Sequence, residues 1–222
     1  MVPRLLRREP SAWLFAGQLV SLLLYPFLED STVGRALFSV LGIGLLALVV
    51  LAVRRSPALT WVALLLGGAA TVLLLIQVVT GGTELLPWSS SIEAVLYFYA
   101  AGALIVYMLA DHEVTRDELF AVGAAFTLVA WAFAHVYVVC QAIAPDSFTA
   151  AVHPGRDRSW VELLFLSFTT LSSTGLSDVI PIRSFARSIV MLEQLAGLAY
   201  LAMLVTRLIG LTTLRRPTDG AG

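Results

Sequence analysis

Six apolar stretches of spanning length follow one another along the 222 residues, at about 11–28, 35–53, 58–80, 91–110, 118–143 and 183–210. A hydrocarbon core takes about 17–25 apolar residues to cross as helix. Every N–H and C=O group in that core must find a partner within the protein. These stretches therefore impose an all-α membrane protein. The chain is 59% hydrophobic and 13% charged, far more apolar than a soluble domain. A single cysteine, Cys140, excludes an intrachain disulfide or a cysteine metal cluster and reads as core filler. The net charge of −1 gives no reason to expect a nucleic-acid partner.

Between the last two stretches runs Ser167–Pro181, SFTTLSSTGLSDVIP. Thr169, Thr170, Ser172, Ser173 and Thr174 precede Gly175, and Ser177 and Asp178 follow it. Irregular polar backbone at membrane depth survives where protein or a water-filled path satisfies it. A re-entrant loop lining a pore meets that demand, because carbonyls and hydroxyls can replace the water shell of a cation. Glycine lets the backbone turn its oxygens inward. The apolar piece upstream, about 159–171, is too short to span and reads as a pore helix.

Ser173-Thr174-Gly175-Leu176-Ser177-Asp178, with Pro181, resembles the potassium-channel signature T-V-G-Y-G-D-x-x-P, without a gap. Arg187 and Gly197 stand where that family often has a basic residue and an inner-helix hinge glycine. Trp160 to Thr170 resembles its pore helix, with Thr169 and Thr170 at the end. Asp178 stands where the family has an acid that braces the filter from behind, and Trp160 is a candidate donor to it. Leu176 replaces the usual Tyr or Phe, and Ser177 replaces the second glycine. Were that position left-handed, a Cβ there would cost about 1–2 kcal/mol per subunit. The resemblance covers about a quarter of the chain and implies a bacterial-type six-helix channel built from four identical chains, one filter loop each. It implies permeant potassium, with sodium as the alternative, and no cofactor.

All fourteen basic residues are arginines. With the N-terminus inside, Arg4, Arg7, Arg8, Arg54, Arg55, Arg116, Arg207, Arg215 and Arg216 lie on inner segments. Arg35, Arg156, Arg158, Arg183 and Arg187 lie on outer ones. The imbalance favours both termini in the cytoplasm of a plasma-membrane protein, with the filter loop outside. The basic N-terminus lacks a small-residue cleavage site after its apolar run, so that run reads as a membrane helix. The fourth segment holds no basic residue, which argues against voltage sensing. The expected domains are a four-helix region at 1–117, a pore domain at 118–212 and a short tail at 213–222, with no cytosolic regulatory domain.

Several polar residues carry two readings. Glu93 reads as a solvated interfacial charge. His135, inside the fifth segment, either tunes the filter by protonation or hydrogen-bonds neutrally against the pore helix. His112, beside Asp111 and Glu113, is a pH-sensor candidate or a solvated loop histidine. Glu193, one helical turn before Gly197, either faces the cavity and attracts cations or packs behind the filter, the arrangement favoured here. Gly42, Gly44, Gly67, Gly68 and Ala100–Ala103 read as close-packing positions. No metal site is expected beyond the permeant monovalent cation. The expected function is a tetrameric, potassium-permeable cation channel of relaxed selectivity. A non-conducting channel-like sensor or assembly subunit is the alternative, and an intramembrane hydrolase using Ser173 or Ser177 is a weaker one.

Overall fold

The computed structural model describes residues 10–28, 32–54, 58–80, 84–110 and 115–214. Within them the chain forms α1 (Pro10–Leu28), α2 (Thr32–Val53), α3 (Thr60–Thr80), α4 (Leu86–Leu109), α5 (Arg116–Ile143), β1 (Phe148–Ala150), α6 (Trp160–Leu171), β2 (Val179–Pro181) and α7 (Ser184–Leu214). Among the described residues the fold is all-α apart from this one short strand pair. Arg4, Arg7, Arg8, Arg55, His112, Arg215 and Arg216 lie outside the described residues.

All six expected stretches are helical. Thr60–Thr80, Leu86–Leu109, Arg116–Ile143 and Ser184–Arg207 are long and apolar enough to cross a membrane. Pro10–Tyr25 and Leu41–Val53 are shorter apolar stretches among the described residues. Helix α4 starts at Leu86, some five residues before the apolar run, because a proline in its first turn suits helix initiation. Helix α5 starts at Arg116, where the Thr115 side chain accepts from the Glu118 N–H.

Helix α5 is the hub, packing against α4, α1 and α6. Small residues let its neighbours approach: Ala121, Ala124, Ala125 and Ala132 are fully buried. A Cβ on Gly123 would stand 2.7 Å from the Phe15 ring of α1, so only glycine fits there without rearrangement. Of the glycines expected to pack closely, Gly67 meets Val50 at 3.2 Å, whereas Gly42, Gly44 and Gly68 face open space.

The start of α5 is tied on both sides. Asp117 accepts from the Ser11 backbone N–H at 3.1 Å and its hydroxyl at 3.0 Å, holding the start of α1. Glu118 pairs with Arg207 of α7 at 3.0 Å. Both acids are buried, and their partners come from helices distant in the chain. Two acids in a first turn also suit the helix dipole.

Strands β1 and β2 pair antiparallel, Phe148 opposite Pro181 and Ala150 opposite Val179. The Ile182 N–H donates to the Ser147 carbonyl at 2.8 Å, and Arg183 Nε to the Pro145 carbonyl at 2.8 Å. The chain between the strands, containing α6, therefore leaves from and returns to the same end of α5.

Candidate functional site

Helix α6 is set by a capping box. The Ser159 side chain accepts from the Glu162 N–H at 3.3 Å, and Glu162 Oε2 accepts from the Ser159 N–H at 2.6 Å. Arg156 pairs with Glu162 at 2.8 Å. Burial acts to raise the Glu162 carboxyl, but the Ser159 N–H and hydroxyl and the charges of Arg156 and Arg158 outweigh it and hold the group below the usual 4.5. The start of α6 is also latched to α5: Gln141 Oε1 accepts from the Arg158 N–H at 2.8 Å, and its amide donates to the Arg158 carbonyl at 3.1 Å. Twelve residues make a helix about 18 Å long. That is well short of a hydrocarbon core of about 30 Å.

Helix α6 stops where its own carbonyls bond the next turn of chain. The Ser173 N–H donates to the Thr170 carbonyl at 3.0 Å, and the Thr174 and Gly175 N–H groups share the Thr169 carbonyl at 2.9 and 3.0 Å. Gly175 has φ +65° and Ser173 has φ +60°. Ser177 is not among the left-handed residues, so the strain anticipated at that position falls on Ser173 instead. The Ser177 hydroxyl accepts from the Val179 N–H at 3.0 Å, joining the loop to β2. The N–H groups of 173–175 thus point back into α6. The carbonyls of Ser173, Thr174, Gly175 and Leu176 accept no hydrogen bond among the described residues, and all four residues are exposed in the single chain. Leu176 is 77% exposed.

Behind this loop sits α7. Gly197 is buried, and a Cβ there would lie 2.1 Å from the Leu171 carbonyl oxygen and 2.9 Å from its carbon. The last turn of α6 thus rests on the bare backbone of α7, which gives glycine a packing reason at this position. One turn earlier, Glu193 is fully buried. Its carboxyl accepts from the Tyr137 hydroxyl of α5 and contacts the Ser167 hydroxyl of α6. Ser167 Oγ is also 2.7 Å from the Ala130 carbonyl of α5. One side chain therefore links α5, α6 and α7. Thr169 and Thr170 are buried at the end of α6, and the Thr169 hydroxyl donates to the Leu166 carbonyl at 2.9 Å.

His135 and Glu93 form a second polar cluster. Glu93 is not a solvated interfacial charge: it is 6% exposed, and its Oε2 lies 3.0 Å from His135 Nε2. It is buried because α4 and α5 pack along most of their length and turn this face inward. The His135 ring lies 5.6 Å from Trp160 of α6 and 5.6 Å from Tyr97, so its polar partner is on α4 and its contact with α6 is aromatic. Trp160 stands edge-on to Trp131 at 5.5 Å, within this cluster, while Asp178 is exposed. From the sequence neither Tyr137 nor Ser167 is assigned as a partner of Glu193. The available signal was that a carboxylate deep in an apolar helix demands hydroxyl partners, and both residues are polar interruptions of apolar stretches.

Residues 125–213 match the family model for an ion channel. The matched span begins within α5 and takes in β1, α6, the loop, β2 and nearly all of α7, the elements that converge on Glu193 and Gly197. No curated protein and no solved structure matches the chain. The match associates residues 125–213 with ion channels.

Proposed function

We propose that the chain forms a homotetrameric, potassium-permeable cation channel of relaxed selectivity in the plasma membrane, with six membrane helices, both termini cytoplasmic and α6 re-entrant from the outer side. One observation carries this reading: a short capped helix ends in a row of exposed, unbonded carbonyls, on an excursion that starts and finishes at one strand pair. Such a row is untenable against lipid, where each unsatisfied group costs several kcal/mol. Four copies around an axis turn it into rings of oxygens facing a water path. Ser173, Thr174, Gly175, Leu176 and Ser177 form the filter, and Asp178 adds negative charge at its mouth. The C-terminal end of each α6, the negative end of its dipole, supports a cation at the inner side of the filter. Gly197 holds the inner helix against the filter base and serves as its pivot, while Glu193 and His135 modulate from behind. Ser177, with its Cβ in place of a second glycine, relaxes selectivity at the outer rings.

Flux from proteoliposomes under potassium and sodium gradients, with and without a potassium-channel blocker, tests the proposal. Blocker-sensitive flux with potassium exceeding sodium is expected. No flux under either gradient from a verified tetramer would replace it with a non-conducting, channel-like subunit.

A further inference from the structure

A few specific contacts fasten α7 to the rest of its chain. In its first half Glu193 joins α5 and α6, and the bare backbone of Gly197 rests on the Leu171 carbonyl. One turn on, the Tyr200 hydroxyl donates to the Val122 carbonyl of α5 at 2.7 Å. Beyond Tyr200, the one polar contact from α7 to another element among the described residues runs from Arg207 Nη2 to Glu118 Oε2, at 3.0 Å. Ten residues separate Gly197 from Arg207. As helix they make an arm of about 15 Å.

The two ends of this pair are held very differently. Glu118 is buried, its N–H donates to the Thr115 hydroxyl at 3.3 Å, and that hydroxyl lies 3.4 Å from Oε1, which leaves Oε2 for Arg207. The neighbouring Asp117 is bound by the N–H and hydroxyl of Ser11, so the first turn of α5 is anchored to α1 as well. It is a fixed base. On α7, Leu198, Leu201 and Val205 are exposed. Beside the pair lies a gap of about 30 Å³, bordered by Met108, Leu119, Met203 and Leu204. Apolar packing is incomplete there, and a gap forfeits the dispersion contacts that would hold two helices together. The ion pair does what packing does not, because separating it would leave the buried Glu118 carboxylate without its countercharge.

We propose that Glu118 and Arg207 are positioning residues that latch the C-terminal half of α7 to the first turn of α5, and that this half of α7 swings about Gly197 when the pair is broken. The contact of Gly197 with the Leu171 carbonyl is the fulcrum. Tyr200, three residues from it, has little leverage against the swing. On an arm of about 15 Å, each swing of about 10° carries the Arg207 end by roughly 3 Å. In the channel reading this half of α7 borders the inner mouth, so the latch holds one conducting state against another. That consequence rests on the channel reading, whereas the displacement of α7 does not.

The test is the distance between spin labels at two exposed positions, Arg116→Cys on α5 and Val205→Cys on α7, in the full chain with its free cysteine removed by Cys140→Ala. Labelled chains are diluted into unlabelled ones in lipid nanodiscs, so that the intrachain distance alone is read. Glu118→Gln and Arg207→Gln should each broaden the distribution and lengthen its mean by roughly 3 Å or more. Arg207→Lys keeps the charge for what is a single N···O contact and should stay near the native distance. The Glu118→Gln/Arg207→Gln double should match either single variant, since one missing partner already opens the latch. An unchanged distance in Arg207→Gln, an Arg207→Lys chain as widened as Arg207→Gln, or additive lengthening in the double each overturn the proposal. Should Glu118→Gln fail to fold, the Gln and Lys variants of Arg207 decide. Ion flux enters none of these readouts, so failure of the latch leaves the channel reading standing, and absence of flux leaves the latch standing.

Discussion

Replacing Glu193 tests how α5, α6 and α7 are joined. The carboxyl accepts from Tyr137 and contacts Ser167, and Ser167 has a second acceptor in the Ala130 carbonyl at 2.7 Å. In Glu193→Leu the Ser167 hydroxyl keeps that carbonyl, whereas the Tyr137 hydroxyl is left buried without an acceptor. One orphaned donor costs about 1–3 kcal/mol. Two orphans would cost about twice that, so the size of the loss reports whether Ser167 is rescued. Glu193→Gln keeps an acceptor for Tyr137 and a donor toward Ser167 and should cost less than about 1 kcal/mol. Removing both partners of a buried bond is far milder than removing one. Tyr137→Phe should therefore recover most of the loss caused by Glu193→Leu, giving a coupling of about 1–3 kcal/mol. The assay is equilibrium unfolding of the purified chain in mixed micelles with increasing SDS, followed by far-UV circular dichroism, for the three single variants and the Glu193→Leu/Tyr137→Phe double. Additive losses for Glu193→Leu and Tyr137→Phe, or a Glu193→Gln chain as damaged as Glu193→Leu, would refute the hydrogen-bond account.

Other substitutions read out neighbouring parts of the site. Gly197→Ala places a methyl 2.1 Å from a backbone oxygen that has no rotamer to escape by, so overpacking should cost about 1–3 kcal/mol and shift α7 from α6; an unaltered unfolding curve would refute the close approach. Around Gly175 there is open space, so Gly175→Ala pays only for its φ of +65°, about 1–2 kcal/mol per chain. Flux in proteoliposomes should fall sharply while the oligomer persists on size exclusion, and undiminished flux would remove Gly175 from the filter. The Glu162 carboxyl is held below its usual 4.5, so it contributes stability that is fully present above pH 4.5 and is lost as pH falls through its folded value. With Arg156 largely exposed, that contribution is at most about 1 kcal/mol. Unfolding at pH 6 and pH 3.5 should show a drop in the native chain that is smaller in Glu162→Gln.

The positions of the helices were legible in the chain because spanning length and continuous apolarity are local properties. The SFTTLSSTGLSDVIP stretch was equally legible, since polar backbone between two membrane helices has few physical outlets. Glu193 was recognisable as a cost requiring compensation, but its compensating hydroxyls were not identifiable, as Tyr137 and Ser167 lie 56 and 26 residues away. Glu93 was misread for a related reason: a carboxylate near a helix end is ordinarily solvated, and the histidine that meets it is on another helix. The location of backbone strain was also hidden, because φ at Ser173 and Ser177 depends on how α6 terminates.

The sequence by itself determined the membrane class, the helices and the polar loop, which follow from hydrophobicity and chain geometry summed over adjacent residues. Only the tertiary structure decided which buried groups share a partner: Glu193 with Tyr137 and Ser167, Glu93 with His135, Gly197 against the Leu171 carbonyl. Those pairings depend on helix rotation and depth, to which a helix of 3.6 residues per turn is sensitive at the level of a single residue.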